Sequence, residues 1–191
     1  LKMATQYHHT EAQKARKRVE EGDLSAESVA MAEYGAAAEA YERYLARFPK
    51  SEDAYTLNFF YGECLYYSAR FGRAAVQYEK VRDSGLGTKF KESAAFFAIL
   101  SREKAVRQLI DEGKLASKPS LVGSAPGVAP ASPPSSNDDN DGLVRDIVAQ
   151  PIPTDVQSLV DARKNYIEGC LTNTEDKTRL PRIVYNLAEI Y

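Results

Sequence analysis

Hydrophobic positions recur along this chain at helical spacing, and one short pattern of them occurs three times. A small residue is followed four positions later by a tyrosine, and three positions after that by a third residue on the same helix face. A small residue lets a neighbouring helix come close, and the tyrosine fills the space beside it. The pattern predicts a repeat scaffold of closely packed helices. Its copies are Ala37, Tyr41 and Tyr44; Ala74, Tyr78 and Val81; and Ala162, Tyr166 and Gly169.

Glycine, proline and capping residues divide the pattern into seven predicted helices. Gly22 ends the first helix, Asp23 or Ser25 caps the next, and Pro49 blocks its continuation. The predicted helices cover residues 2–21, 25–48, 52–69, the stretch between tight turns at 70–72 and 84–87, 88–113, 154 to about 171, and 183–191.

Three of the helix starts carry their own signals. Ser51, Glu52 and Asp53 supply a cap and negative charge before the third helix. The pair Thr154 and Gln157 forms a predicted capping box. Pro181 is suited to the first turn of the last helix.

The stretch 52–69 has the highest density of aromatic residues, and they point in several directions around the helix. A helix that is apolar most of the way round must be packed on several sides or must offer part of its surface to a ligand. Gly62 in its middle costs about 1 kcal/mol relative to alanine. We therefore expect another helix to approach closely there. The aromatic residues are Tyr55, Phe59, Phe60, Tyr61, Tyr66 and Tyr67.

The spacing of the pattern resembles that of a known repeat family. Its first two copies begin at Ala37 and Ala74, a separation of 37 residues, close to the 34 of a tetratricopeptide repeat. Asn58 and Leu86 depart from the family pattern. The positions that fit are Tyr61, Gly62, Leu65, Ala74, Tyr78 and Val81. The resemblance implies an all-α fold, a right-handed superhelical stack of antiparallel helix pairs.

The same resemblance divides the chain into repeats. Residues 1–51 form a divergent N-terminal repeat, and residues 52–87 match the family best. Residues 88–180 form a third repeat, whose two helices are separated by an insertion at about 117–142. This insertion is rich in Ser, Pro and Asp and is expected to be disordered. Residues 181–191 begin a further, truncated repeat, so we expect the chain to be a piece of a longer array.

In this family the helix-A residues line a concave surface that holds a partner. That likeness makes Thr56, Phe59, Glu63, Tyr66 and Tyr67 the expected partner-binding residues. Phe96, on the first helix of the next repeat, joins them. An aromatic groove with one acidic group suits an extended or helical apolar peptide.

Two alternatives stay open for this surface, and one specific activity is disfavoured. Some of the aromatic residues, Phe59 and Tyr67 above all, are equally expected to pack against neighbouring repeats. Family members that clamp a C-terminal carboxylate carry Lys and Asn where Phe59 and Glu63 stand, so that activity is not expected here. The second functional hypothesis is a structural spacer in a longer array, with no ligand of its own.

Two segments also resemble bacterial cell-envelope repeat proteins. They are YERYLARFPKSEDAY at residues 41–55 and GECLYYSARFGRAAVQYEKV at residues 62–81. Outer-membrane assembly lipoproteins and cell-division coordinators share this style of junction. The resemblance implies a periplasmic or outer-membrane-associated role, as part of a larger envelope protein or complex.

Composition narrows the class of partner. The chain has 191 residues and a formal net charge of −2, which argues against nucleic acid or an anionic membrane as the main partner. No run approaches the roughly 18 apolar residues of a membrane helix. A protein or peptide partner is expected rather than a small molecule. The two cysteines, Cys64 and Cys170, are expected to be small buried hydrophobes.

Nothing in the sequence predicts catalysis, a cofactor or a metal. The run 137–142 has the oxygen ligands and glycine of a calcium loop, but Val148 stands where a bidentate glutamate is needed. His8 and His9 are adjacent, so they point to two faces of a helix and share a metal poorly. No nucleophile–base set or phosphate-binding loop appears. We therefore expect a protein that is not an enzyme.

Deleting residues 119–141 should leave the helical array folded, because the insertion has too little apolar surface to contribute to a core. Urea unfolding followed by circular dichroism should show one cooperative transition for the deleted chain, as for the intact one. Loss of cooperativity would show that the insertion is part of the folded unit.

Overall fold

The structure, a computed structural model, describes residues 2–116, 152–170 and 179–188. These residues form α-helices, the first five of which are joined by short turns, with no strand among the described residues, so the predicted all-α class is confirmed for the described part. No helix there is long and apolar enough to cross a lipid bilayer. The helices are α1 (Lys2–Glu20), α2 (Glu27–Arg47), α3 (Ala54–Tyr67), α4 (Phe71–Asp83), α5 (Lys91–Asp111), α6 (Thr154–Cys170) and α7 (Arg179–Ala188), and a 3-10 turn spans Leu24–Ala26.

The predicted stop between the first two helices is confirmed. Gly22 has a φ of 103°, which ends α1 in a conformation that residues with a Cβ rarely adopt. The side chain of Asp23 accepts a hydrogen bond from the backbone N–H of Ser25 and so caps the 3-10 turn. α2 then runs to Arg47, two residues before Pro49.

The turn between α3 and α4 lies earlier than predicted. It consists of residues 68–70, and α4 already begins at Phe71, so Gly72 is helical. The Ser68 hydroxyl donates to the Cys64 carbonyl and the Arg70 N–H donates to the Leu65 carbonyl. These bonds satisfy the last carbonyls of α3, and Ala69 takes the left-handed φ of 58°.

Two predicted caps use different partners. Asp53 precedes α3 but makes no capping hydrogen bond; its carboxylate pairs with the Lys2 ammonium of α1 instead. The Gln157 side chain donates to Asp161 one turn ahead, 2.8 Å away, so the capping box with Thr154 is wrong. In both cases the side chain interacts with a charged side chain within reach and does not cap a backbone group.

Neighbouring helices pack in chain order, and the side-chain register shows the direction of the pair α3 and α4. Gln77 Nε2 donates to Asn58 Oδ1 at 2.8 Å, and Arg73 Nη2 donates to Tyr61 Oη at 2.8 Å. Moving forward along α3 therefore means moving backward along α4. The two helices form an antiparallel hairpin around a short turn.

Helices two apart in the chain also touch, and the contacts between α2 and α4 keep a constant register. Arg70 pairs with Glu39 at 3.2 Å, and Arg73 pairs with Glu42 at 2.8 Å. Both pairs are separated by 31 residues along the chain. α2 and α4 therefore lie side by side and parallel.

A second layer contains α3 and α5. Phe59 stacks on Phe90 and Tyr66 meets Phe97, again with one constant separation along the chain. Helices α2 to α5 thus form two layers of alternate helices, which is a repeat-like arrangement. The right-handed superhelix of a tetratricopeptide array, and the division into repeats, stay predictions.

The repeated small–tyrosine pattern forms much of the core. Every member of the second copy is buried, and so are the alanine and tyrosine of the other two copies. Tyr44 is half-buried. Gly169 is exposed and has open space around it, so its predicted inward position is wrong. Cys64 is fully buried, and burial raises the pKa of its thiol, as expected of a small core hydrophobe.

One charged side chain, Arg163, lies inside the second core, which is formed by α5, α6 and α7. It is 0% exposed. It donates to Glu103 of α5 at 2.9 Å and to the carbonyl of Asn186 in α7 at 3.0 Å. The guanidinium therefore joins three helices, and removing Glu103 would leave a buried charge without its counter-ion.

The ring of Tyr78 in α4 lies against Gly62 in the middle of α3, a close contact of the kind that the sequence predicts there. A Cβ on Gly62 would lie 2.9 Å from Cε1 of Tyr78, inside van der Waals contact. Tyr78 is 1% exposed, so its ring has little room to move.

Gly62→Ala should destabilise the protein by about 1–2 kcal/mol, because the overpacking cost exceeds the gain of about 1 kcal/mol in helix propensity. Gly72→Ala is the matched control, since a Cβ there meets nothing within 4 Å. It should be neutral or stabilising by up to about 1 kcal/mol. Urea unfolding midpoints measure both; equal effects would contradict the close-packing argument.

Candidate functional site

Four half-buried rings form a continuous line across α3 and α5, which we call the aromatic row. Tyr67 meets Tyr66 with ring centroids 5.3 Å apart, Tyr66 meets Phe97 at 6.3 Å, and Phe97 meets Phe96 at 6.1 Å. Each ring keeps part of its surface in solvent. The row brings together three residues of the predicted site, and Phe97 is the member that the sequence argument missed.

An arginine lies over the ring at each end of the row. The Arg16 guanidinium of α1 is 4.0 Å from the Tyr67 ring centroid, and that of Arg179 of α7 is 4.3 Å from the Phe96 centroid. Both distances are typical of cation–π contacts. A guanidinium therefore borders the row at each end, Arg16 from α1 and Arg179 from α7.

The other predicted residues lie beside the row. Phe59 is stacked on Phe90 with centroids 4.4 Å apart and an interplanar angle of 11°, and its ring edge contacts Tyr78. This geometry uses Phe59 mainly to hold α3 against α5. Thr56, one turn before it, is half-buried.

Glu63 belongs to a polar cluster between α1, α2 and α3. Its Oε2 lies 4.0 Å from Nε2 of His9, whose Nδ1 is hydrogen-bonded to the Tyr41 hydroxyl at 3.0 Å. Burial raises the pKa of Glu63, and the positive charge of Arg16 partly opposes this rise. Burial also lowers the pKa of His9.

The geometry of the two histidines agrees with the prediction from their spacing. His8 faces Glu33, 2.7 Å away, whereas His9 faces inward to Tyr41. Their side chains do not converge. Within residues 2–116, 152–170 and 179–188, no group of three or more His, Cys, Asp or Glu side chains is arranged to hold a metal ion.

A separate concave surface, which the sequence argument did not predict, lies between α2 and α4, with α3 as its floor. We call it the α2–α4 groove; its volume is about 960 Å³. The sequence does carry one indication of this surface: Val76 is an apolar residue of α4 that lies outside the buried face of the helix. The lining residues are Glu42, Leu45, Ala46, Pro49, Tyr55, Asn58, Tyr61, Leu65, Gly72, Arg73, Val76, Gln77, Lys80, Val81, Ser84 and Leu86.

No protein-family model, curated protein or solved structure matches the chain. The tetratricopeptide resemblance of the sequence therefore stays a prediction.

The buried His9 should make stability depend on pH. Its folded pKa is lower than the unfolded value of about 6.5, so the unfolded chain takes up a proton more readily. The contribution of His9 to stability is complete above the unfolded pKa and is lost as the pH falls through the window down to the folded pKa. Through His9, the urea unfolding midpoint should therefore be lower at pH 5.0 than at pH 7.5.

His9→Gln should reduce this pH dependence, because glutamine carries no titrating proton there. The raised pKa of Glu63 acts in the opposite direction at lower pH, so the comparison of the two chains isolates His9. An identical change in midpoint for both chains would rule out His9 as the source.

Proposed function

We propose that the chain is a protein-binding helical scaffold of the tetratricopeptide type, which holds a partner protein or peptide along the aromatic row. The observation that carries this proposal is the row itself, with four adjoining rings each partly open to solvent. Half-exposed aromatic side chains offer large apolar area at low entropic cost, and such residues dominate binding energy in protein interfaces.

The shape of the row favours an extended or helical peptide over a small molecule. It is a line of rings across several helices, whereas small ligands are usually enclosed by one pocket. Arg16 and Arg179 bound it at either end, and the carboxylate of Glu63 lies beside it. A peptide could bury apolar side chains on the rings and place polar groups near these charges.

Within this proposal, Tyr66 is the central contact residue because it lies between Tyr67 and Phe97. Tyr67 and Phe96 extend the surface to either side, Phe59 adjoins it through Phe97, and Thr56 lies one turn before Phe59 on α3. No catalytic role is assigned to any of them. For the compartment we propose the bacterial cell envelope, solely on the resemblance of residues 41–55 and 62–81.

The second candidate function is a structural spacer in a longer array. Phe59 stacked on Phe90 favours it, as does the contact of Phe96 with Tyr166 at 6.3 Å. The first contact joins α3 to the start of α5 and the second joins α5 to α6, both without any partner. In this function the rings would stabilise the stack and bind nothing.

Replacing Tyr66 with the photo-crosslinking residue p-benzoylphenylalanine tests the two candidates. On irradiation in a lysate of the source cells, position 66 should form a discrete crosslinked product with a partner. The matched control places the same residue at Tyr7, which is 62% exposed on α1 and far along the chain from the row. Position 7 should form no such product.

Tyr66→Ala provides the second half of the test. It should lower capture of the same partner at least about tenfold, since a central aromatic anchor is worth 2 kcal/mol or more. Tyr7→Ala should leave capture unchanged. No crosslink from position 66, or equal capture by a folded Tyr66→Ala chain, would favour the spacer.

A further inference from the structure

The α2–α4 groove is open because ion pairs join its two walls at one end but not further along. Two ion pairs, Glu39 with Arg70 and Glu42 with Arg73, join α2 to α4 at one end. The register of 31 residues then brings Leu45 opposite Val76 one turn further on. No charged pair can form between these two side chains, and the walls enclose open space.

The groove exposes apolar surface that the fold of the described chain does not cover. Val76 is 57% exposed on one wall, and Leu86 is 68% exposed at the far end. Leu65 and the ring of Tyr61 contribute to the floor. Uncovered apolar side chains that converge on one concavity mark a surface for another molecule more often than scattered ones do.

The dimensions of the groove fit a helix. Its α4 wall runs from Gly72 to Ser84, about 18 Å at 1.5 Å per residue, which matches about three turns of a partner helix. Ala46 on one wall and Gly72 on the other are small, so a partner's backbone can come close. A volume of about 960 Å³ accommodates several side chains of one helical face.

The charged residues of the groove indicate which charge a partner should carry. Glu42 is already paired with Arg73, which leaves Lys80 as the remaining charge of the lining. Lys80 is exposed and has no ion-pair partner within the described residues. A partner with carboxylates beside its apolar face would complement this wall.

We propose that the α2–α4 groove is a second binding surface, which holds an acidic amphipathic helix of a partner protein. The apolar face of that helix lies against Val76 and Leu86, and its carboxylates point toward Lys80. This surface lies on the opposite layer from the aromatic row and does not depend on the function proposed for the row.

A phage-displayed library of randomised helical peptides, about 15 residues long, is the probe. Selection on the intact chain should enrich peptides with apolar residues at i, i+3 or i+4 and i+7 and with an excess of Asp and Glu. Fluorescence anisotropy then measures their affinity. Val76→Asp should weaken binding at least about tenfold, and Lys80→Glu at least about threefold.

Matched controls use exposed residues outside the groove. Val29→Asp changes a valine that is 49% exposed near the start of α2, and Lys104→Glu changes an exposed lysine of α5. Both should bind the selected peptides as the original chain does. Thermal unfolding midpoints confirm that all four variants are folded.

Several outcomes would overturn the proposal. These are no enrichment, enrichment of basic peptides, or peptides whose binding survives Val76→Asp. Peptides that no longer bind the Tyr66→Ala chain but still bind the Val76→Asp chain would show that binding occurs at the aromatic row alone. The last ligand tested is a synthetic peptide of residues 137–150, whose first half is acidic and whose second half is mainly apolar. If it binds the groove more tightly than every selected peptide, the occupant is this chain itself and not a partner.

Discussion

The ring of Tyr78 lies against the bare Cα of Gly62, and the spacing of α3 and α4 depends on this contact. It requires a glycine in the middle of an aromatic helix and a tyrosine that is fully buried on the next. Beside this contact, Phe59 packs against the Tyr78 ring at 5.6 Å between centroids and also stacks on Phe90 at the start of α5. One small residue thus sets the distances on which three helices pack.

The aromatic residues of α3 show how one helix serves several neighbours. Tyr67 contacts Tyr34 of α2 and the guanidinium of Arg16 in α1, whereas Tyr66 faces Phe97 of α5. A helix with rings on most of its circumference is therefore packed from several sides, and only the edges of some rings stay accessible. Packing and the proposed partner binding draw on the same side chains of the aromatic row.

The far end of the molecule is organised differently, around a charge. Arg163 joins α5, α6 and α7 from inside a hydrophobic core that includes Tyr166. A buried guanidinium gains stability only while its hydrogen-bond partners stay in place, so it specifies one arrangement of the three helices more sharply than apolar contacts would. The first core has a comparable polar centre in the His9 and Tyr41 pair, which is held between α1 and α2.

The local sequence was sufficient to predict the helices, their order and the close contact at Gly62. Helical periodicity and glycine or proline stops act over a few residues, so they can be recognised without the tertiary structure. The alanines and tyrosines of the repeated pattern could be assigned to the core for the same reason. Partners outside the local sequence were not predictable: Asp53 pairs with Lys2 rather than capping α3, and Gly169 lies in solvent. The aromatic row was predicted in part: Tyr66 and Tyr67 contact each other directly, but Phe96 is joined to them only through Phe97. The α2–α4 groove depends on which residues of two separate helices face each other, and that register is decided by the tertiary packing alone.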